Sequence, residues 1–212
     1  MMYLNERIDD LQRGGLRVIQ RADAFRFGTD AVLLADFAAP RRHDRVCDLG
    51  TGTGIIPLLL YARENTISAD AVEIQPDMAD MAARSMAMNG LNEKIRVLPG
   101  DLRSIRTLLP HARYDLVTCN PPYGKAGGTL LNPDASKRLA RHEESCAIED
   151  VACAAAWLLQ NGGRLCCVFP AARMIELSDA MRKYRMAPKR IRMVHSRVEK
   201  AAHLCLMEGM LD

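Results

Sequence analysis

Short apolar and β-branched runs alternate along this chain with longer helix-like stretches. The runs of strand length cover residues 45–49, 69–74, 95–98, 114–119, 164–169, 191–195 and 202–207. The helix-like stretches cover residues 54–64, 76–89, 147–159 and 171–184. Strands and helices that alternate this regularly form βαβ crossovers, so the pattern predicts an α/β fold with a mostly parallel seven-stranded sheet and helices on both faces. The last two strands have a short connection and should form a hairpin, which makes one strand antiparallel.

The first forty residues have a different pattern. Residues 16–20 and 24–27 are expected to form a small hairpin, followed by a helix over residues 29–38 with Thr29 or Asp30 near its N-cap. We expect this piece to cover the sheet as a lid. A chain of 212 residues with 49% apolar content can bury one sizeable core. We therefore predict a single domain over residues 1–212, in which the hairpin and helix lid (1–40) precede the catalytic core (41–212).

Composition narrows the class of protein further. No run of residues is long and apolar enough to span a membrane, and the first eleven residues are charged rather than apolar, so we expect a cytoplasmic protein. The seven cysteines include no C-x-x-C pair and have no histidine at metal-ligand spacing. We expect reduced, buried thiols and no metal site.

Basic residues are concentrated in one late segment of the chain. The net charge is only +3, yet residues 181–200 contain eight Lys and Arg residues against a single Glu. Clustered cations of this kind can bind a polyanion such as nucleic acid. They are equally typical of a solvated helix face and of a sheet edge that Lys and Arg protect from further pairing.

A glycine-rich loop follows the first strand of the alternating pattern. It reads Asp48-Leu49-Gly50-Thr51-Gly52-Thr53-Gly54. A nucleotide-like ligand is expected at the carboxyl end of this strand, but positions 55 and 57 lack the glycine of the dinucleotide fingerprint, which disfavours a phosphate site. S-adenosylmethionine has an ammonium group and a ribose but no phosphate. An acid ahead of glycines that leave the backbone bare suits that ligand.

Two further acids follow the next two strands. Glu73 ends the second strand, where a carboxylate can accept hydrogen bonds from both ribose hydroxyls. Asp101, with Leu102 beside it, follows the third strand and should meet the adenine of the cofactor. Either acid alone could be a helix cap. The carboxyl ends of successive parallel strands meet at one edge of a sheet, however, so the acids and the glycine loop together predict an S-adenosylmethionine site.

The fourth strand ends in the tetrapeptide Asn120-Pro121-Pro122-Tyr123. On these residues the chain resembles the class I methyltransferases with an N-P-P-Y motif, which have a Rossmann-like fold and modify amines or amides of planar conjugated groups. The resemblance implies that the Asn120 side-chain oxygen and the Pro121 carbonyl accept the two N–H groups of the target nitrogen and aim its lone pair at the methyl group. Pro122 would keep this backbone rigid, and Tyr123 would stack on the planar group.

The resemblance extends over most of the chain. Further matching segments lie at residues 5–11, 16–20, 25–34, 141–143 and 188–190. With the loop and the tetrapeptide, they are similar to the bacterial family of tRNA-Val adenine N(6)-methyltransferases, which implies methylation of the adenine next to the anticodon. The reacting base would lie at Asn120, and Thr29 and Asp30 would border the methionine end of the cofactor. The cofactor positions that carry over are Asp48, Gly50, Gly52, Glu73 and Asp101.

Two basic regions are candidates for RNA contact. The first is the loop 124–144, which is long for a compact domain and contains Lys125, Arg138 and Arg141. The second lies in the basic segment and contains Lys189, Arg190 and Arg192. Members of the resembled family usually continue beyond the equivalent of the last strand, a difference that bears on substrate recognition.

Three other functions are compatible with these motifs. Protein glutamine methyltransferases that act on release factors share the tetrapeptide, but they typically carry a helical domain ahead of the catalytic one, and fewer than fifty residues precede this glycine loop. Guanine N(2)-methyltransferases of ribosomal RNA are the second alternative. A catalytically silent RNA-binding module of the same fold is the third, and the intact loop and tetrapeptide argue against it. The sequence does not indicate an oligomeric state.

Overall fold

The chain forms a seven-stranded sheet and a separate two-stranded hairpin. The computed structural model describes residues 3, 5–21, 28–121 and 148–212. Within these ranges the strands are β1 (Glu6–Asp10), β2 (Arg17–Arg21), β3 (Arg45–Leu49), β4 (Ser68–Glu73), β5 (Ile95–Pro99), β6 (Tyr114–Cys119), β7 (Leu159–Pro170), β8 (Met186–Val194) and β9 (Leu204–Leu211). The helices are α1 (Thr29–Ala38), α2 (Ile55–Arg63), α3 (Pro76–Met88), α4 (Ile105–Leu108), α5 (Ile148–Leu158) and α6 (Met174–Lys183).

The large sheet has the strand order β5-β4-β3-β6-β7-β9-β8. The pairs from β5 through to β7 are all parallel, whereas β9 is antiparallel to both of its neighbours, β7 and β8. The order reverses between β3 and β6, and ligands of open α/β sheets bind beside such a switch point, at the carboxyl ends of the strands. The predicted seven-stranded, mostly parallel sheet with one antiparallel strand is confirmed.

Helices cover both faces of the sheet, because neighbouring residues of each buried strand point to opposite sides. Val46 packs in one apolar cluster with Leu34 of α1, and with residues of α2 and α3. The next residue, Cys47, packs in a second cluster with Leu158 of α5, and with residues of α4 and α6. Strands buried on both faces read as continuous apolar runs, which is why the sequence pattern identified them.

The N-terminal hairpin docks on α3. Ser85 accepts the backbone N–H of Ile19 with its hydroxyl at 3.0 Å, and the Asn89 side chain bonds to both backbone groups of Arg17. Glu6 completes the attachment through an ion pair with Arg84 at 2.6 Å. Strand β2 was predicted, but its described partner is β1, which the pattern did not predict, and residues 24–27 lie outside the described residues.

Several boundaries differ from the prediction. Helix α1 spans the predicted residues, with Gly28 at its N-cap and the predicted Thr29 and Asp30 next to it in the first turn. Strand β7 begins before the predicted residue 164, and β8 begins before the predicted residue 191, since pairing with neighbouring strands extends both. A 3-10 turn over Leu102–Ser104 and the short helix α4 follow β5, where no helix was predicted.

The structure bears on the expectations about membrane spans and about cysteines. None of the helices in the described ranges has the length and apolar character of a membrane-crossing segment. The six described cysteines are free thiols, and five of them are buried. The seventh, Cys146, lies outside the described residues.

Candidate active site

Backbone hydrogen bonds draw together the carboxyl ends of β3, β4 and β5. The amides of Gly50 and Thr51 both donate to the Val72 carbonyl, at 2.9 and 3.0 Å. The amide of Gly100 donates to the Glu73 carbonyl at 2.9 Å. The predicted glycine loop and the two predicted acids therefore lie at one edge of the sheet.

The glycine loop leaves open space beside its backbone. Gly50 and Gly52 have φ angles of 71° and 57°, which L side chains rarely adopt, and a Cβ atom added at either would meet no atom within 4 Å. The Glu73 carboxylate fixes the loop by accepting hydrogen bonds from the backbone amides of Gly52, at 2.8 Å, and Gln75, at 2.9 Å. A carboxylate has about four lone-pair sites, so Glu73 retains acceptor capacity for further hydroxyl groups.

Asp48 is a fully buried carboxyl group under this loop. Its Oδ1 accepts the Thr118 hydroxyl at 2.6 Å. Burial raises the pKa of Asp48 to about 7, while the hydroxyls of Thr118 and Thr51 lower it and nearby Glu73 raises it. Thr51 is close enough to affect this pKa, yet neither its hydroxyl oxygen nor Asp48 Oδ2 has a hydrogen-bond partner of normal geometry. Thr51 therefore acts as a close polar neighbour of Asp48, and the carboxylate oxygen Oδ2 retains a lone pair for a ligand.

Asp101 caps the 3-10 turn that follows β5. Its carboxylate accepts the Arg103 amide at 2.9 Å and forms an ion pair with the Arg103 guanidinium. These contacts, with the side-chain hydrogen bond first, lower the pKa of Asp101. Leu102 is partly buried against the apolar cluster of the α5 side. Asp101 therefore caps this turn. An adenine that also contacted Asp101 would bind a carboxylate that already contacts Arg103.

The other predicted catalytic and cofactor residues lie on two elements. Asn120 and the buried Pro121 follow β6, which pairs with β3 so that Cys119 lies opposite Leu49, the residue before Gly50 of the glycine loop. Thr29 and Asp30 form the first turn of α1. Five predicted residues lie outside the described part of the chain, namely Pro122, Tyr123, Lys125, Arg138 and Arg141.

The predicted basic patch lies on β8, the edge strand of the sheet. Arg190 forms an ion pair with the buried Glu208 at 2.8 Å and lies over the Phe37 ring, and Arg192 pairs with Asp36 at 3.2 Å. Lys189 is exposed at an irregularity in the β8–β9 pairing, and within the described residues its side chain has no hydrogen-bond or ion-pair partner. Bulges and cations on an edge strand prevent pairing with other chains, so part of this cluster protects the edge.

Comparison with known proteins identifies the class of this site. The model of the family described as methyltransferase small domain matches residues 22–190. The chain belongs to the methyltransferase small domain family. It is 33% identical over 195 residues to a tRNA1(Val) (adenine(37)-N6)-methyltransferase of Porphyromonas gingivalis, a match that covers 89% of the chain and 76% of the relative. A protein of the same name from Tolumonas auensis is 38% identical over 148 residues, which cover 69% of the chain and 60% of the relative.

Solved structures of the same fold include other methyltransferases. A predicted O-methyltransferase from Agrobacterium tumefaciens aligns with a TM-score of 0.69 and 25% identity, over 85% of the chain and 80% of that structure. Geranyl diphosphate methyltransferase in complex with SAM shares the fold at a TM-score of 0.62 and 14% identity, over 87% of the chain and 85% of that structure.

This small-domain methyltransferase is an S-adenosylmethionine-dependent enzyme. Its described residues fit the cofactor, since the unused oxygens of Asp48 and Thr51 can accept from an ammonium group and the space beside Gly50 and Gly52 is open. When bound, the cofactor supplies an electrophilic methyl group on a sulfonium. Thr118 was not predicted as part of the site, because one threonine in a buried strand is an ordinary residue there.

Proposed function

We propose that this methyltransferase transfers a methyl group to the exocyclic amine of an adenine in tRNA, next to the anticodon. The observation that carries the proposal is the position of Asn120 and Pro121 directly after β6, beside the glycine loop that follows β3. The printed names of the relatives from Porphyromonas gingivalis and Tolumonas auensis support the same acceptor.

The chemistry of an adenine amine explains the need for Asn120 and Pro121. Its lone pair is delocalised into the ring and is a poor nucleophile. Acceptance of one N–H by the Asn120 side-chain oxygen and of the other by the Pro121 carbonyl draws the nitrogen toward a pyramidal geometry. The lone pair then points along the line of the transferable methyl group. A strong general base is unnecessary, because the methylated nitrogen becomes acidic and releases its proton to a nearby acceptor.

The cofactor would be held by the residues at the first three strand ends. In this proposal Asp48 accepts from the ammonium group, and Glu73 accepts from the ribose hydroxyls while it retains its bonds to Gly52 and Gln75. Asp101 and Leu102 border the adenine. Thr29 and Asp30, at the start of α1, border the methionine end.

The nucleic acid would extend from the reaction centre across the β8 side of the sheet. Two strands, β7 and β9, lie between β6 and β8, so the basic patch is about 14 Å from the strand of Asn120. That distance is within the span of a few nucleotides. Lys189 is the strongest candidate for a phosphate contact because Arg190 and Arg192 already hold acidic partners. Lys125, Arg138 and Arg141 of the loop 124–144 remain proposed contacts on sequence grounds.

A substrate screen tests the proposal directly. Labelled S-adenosylmethionine is supplied with total tRNA, ribosomal RNA and a release factor in separate reactions, and the methylated product is identified by mass spectrometry. We expect N6-methyladenosine in tRNA at the position next to the anticodon. Methylguanosine in ribosomal RNA or methylglutamine in the release factor would replace the proposal with one of those activities, and no methylation of any acceptor would favour a silent module.

An asparagine variant tests the assigned mechanism. Asn120→Ala should reduce turnover by at least about 100-fold, because an acceptor that orients the nucleophile is lost, while cofactor affinity stays within a few-fold. Asn161→Ala is the matched control, since Asn161 lies exposed at the start of β7. Substantial activity of Asn120→Ala on tRNA would contradict the mechanism.

A further inference from the structure

A buried threonine joins the strand that carries Asn120 to the acid of the glycine loop. Thr118 on β6 lies opposite Asp48 on β3 in the parallel register, and its hydroxyl donates to Asp48 Oδ1 at 2.6 Å. Both side chains are fully buried. A hydrogen bond in such an interior is stronger than one in water and fixes the orientation of its partners.

The same contact leaves the other carboxylate oxygen of Asp48 available. Oδ2 is buried without a hydrogen-bond partner, as is the hydroxyl oxygen of Thr51 in the loop above it. The Thr51 hydroxyl acts on Asp48 as a hydrogen-bonding neighbour, but a carboxylate oxygen has two lone pairs, so Oδ2 keeps the capacity to accept from a ligand that donates hydrogen bonds. The ammonium group of S-adenosylmethionine has three N–H donors.

We propose that Thr118 is a positioning residue for methyl transfer, which holds Asp48 Oδ1 so that Oδ2 is presented to the ammonium group of the cofactor. This inference rests on the proposed function, because it takes Asp48 as the cofactor acid. Asn120 lies two residues beyond Thr118, directly after the end of β6. The Thr118 hydroxyl therefore links Asp48, which would bind the methyl donor, to β6, which leads to Asn120 at the methyl acceptor.

The electrostatic surroundings make this hydroxyl important for the charge of Asp48. Burial and the nearby Glu73 raise the pKa of Asp48, and the Thr118 hydroxyl is the strongest influence that lowers it. Cys47 and Cys167 also lie near Asp48, but burial raises the pKa of both thiols well above the usual value, so they stay neutral. Among the described residues no cation is close enough to lower this pKa, so loss of the hydroxyl would favour the neutral acid.

Calorimetric binding of S-adenosylhomocysteine across a pH series tests the role of Thr118 without a methyl-transfer reaction. For the wild-type protein the affinity should rise through about pH 7 as Asp48 ionises. Thr118→Val, which keeps the shape and removes the hydroxyl, should weaken binding about fivefold to tenfold at pH 7 and move the midpoint up by about one pH unit. Thr118→Ser should restore both. The amino group of the ligand titrates identically with every variant, so differences between variants report on the protein.

Two further variants separate the possible failures. Thr66→Val removes a similar hydroxyl, which donates to the Glu64 carboxylate at 2.7 Å ahead of β4, at the opposite edge of the sheet, and it should change neither affinity nor midpoint. Asp48→Asn should weaken binding and abolish the rise of affinity through about pH 7. Normal binding by Thr118→Val beside weak binding by Asp48→Asn would overturn the inference about Thr118. A loss that Thr118→Ser does not rescue would also overturn it, whereas normal binding by Asp48→Asn would overturn the cofactor role of Asp48 in the proposed function.

Discussion

The Asp48 carboxyl is held in a position that lowers the stability of the protein without its cofactor. Its pKa is about 7 in the folded chain, against about 3.9 for an unperturbed aspartate. Between these values the folded state binds a proton that the unfolded state releases, so the free energy of unfolding falls as the pH rises from about 4 to about 7. A shift of roughly three pKa units corresponds to at most about 4 kcal/mol. The group that suits the cofactor thus opposes folding at neutral pH.

Replacement of the acid by its neutral analogue should stabilise the cofactor-free protein. Asp48→Asn keeps an oxygen for the Thr118 hydroxyl and removes the buried charge, so the free energy of unfolding at about pH 8 should rise by about 2–4 kcal/mol. The difference should fall to about a third of that value at about pH 5, because the unfolded state has released the proton there while folded Asp48 retains it, and it should vanish only below about pH 4. Urea denaturation at the two pH values measures both quantities. Asp77→Asn, at an exposed acid of α3, is the control, and lower stability of Asp48→Asn at pH 8 would contradict the argument.

For the residues of the site, the sequence predicted where they lie in the sheet better than it predicted their hydrogen-bond partners. The spacing of the motifs located Asp48, Glu73, Asp101 and Asn120 at strand ends, because a parallel sheet has only one carboxyl edge. It could not predict that Glu73 also binds the Gly52 amide, or that Thr118 bonds to a residue 70 positions away. Such contacts depend on which residues of two distant strands lie opposite each other, and parallel strands joined by long crossovers have no hairpin turn that fixes this register locally.

At the scale of elements, the N-terminal hairpin is held by a few polar contacts with α3. The Ser85 hydroxyl is fully buried, accepts the Ile19 amide at 3.0 Å and donates to the Met81 carbonyl at 2.9 Å. Its removal would leave the buried Ile19 amide without a partner. An unpaired buried donor costs about 1–3 kcal/mol.

Ser85→Ala should therefore destabilise the protein by about 1–3 kcal/mol and expose the hairpin to local opening. Chemical denaturation measures the first effect, and faster hydrogen exchange of the β2 amides measures the second. Thr107→Ala provides the comparison, since that exposed hydroxyl bonds only to the Ser104 carbonyl and its loss should cost less than about 0.5 kcal/mol. Unchanged exchange of the Ile19 amide in Ser85→Ala would refute this account of the docking.

The elements that were predicted correctly are those whose burial is visible in the sequence. Strands β3 and β6 match the predicted residues because they are apolar runs buried on both faces. Strand β1 was missed because it is mostly charged and forms through pairing with β2 and the contact of Glu6 with Arg84. The first half of β8 was missed for a similar reason, as edge strands carry exposed charged residues.

At the scale of the whole molecule, the basic residues of β8 divide into those that pair with acids of the protein and one that is exposed without such a partner among the described residues. Arg190 is partly covered, pairs with the buried Glu208 and donates to the Phe37 carbonyl at 2.8 Å. Its loss would leave Glu208 with Arg164 as its remaining described ion-pair partner. Lys189 is exposed, and within the described residues its side chain has no ion-pair partner that would compete with a polyanion.

This division predicts different effects on RNA binding and on stability. Lys189→Ala should make the slope of log affinity against log salt shallower by about one phosphate contact without a change in stability, whereas Arg190→Ala should lower the free energy of unfolding by about 1–3 kcal/mol. Filter binding of tRNA over a salt series and urea denaturation measure these effects. Lys94→Ala, at an exposed lysine before β5 on the other side of the sheet, controls for net charge. Equal salt slopes for Lys189→Ala and Lys94→Ala would exclude Lys189 from the RNA interface.

Strand β9 is the last strand of the described chain, yet it lies inside the sheet between β7 and β8. During translation β8 therefore emerges from the ribosome before β9, the neighbour that supplies its backbone pairing. Until β9 is made, the sheet ends at β7, and the apolar edge of β7 on that side is an unpaired margin. A premature stop codon ahead of Leu204 would free β8 as well as delete β9. The truncated product would display that margin permanently and would be prone to aggregate.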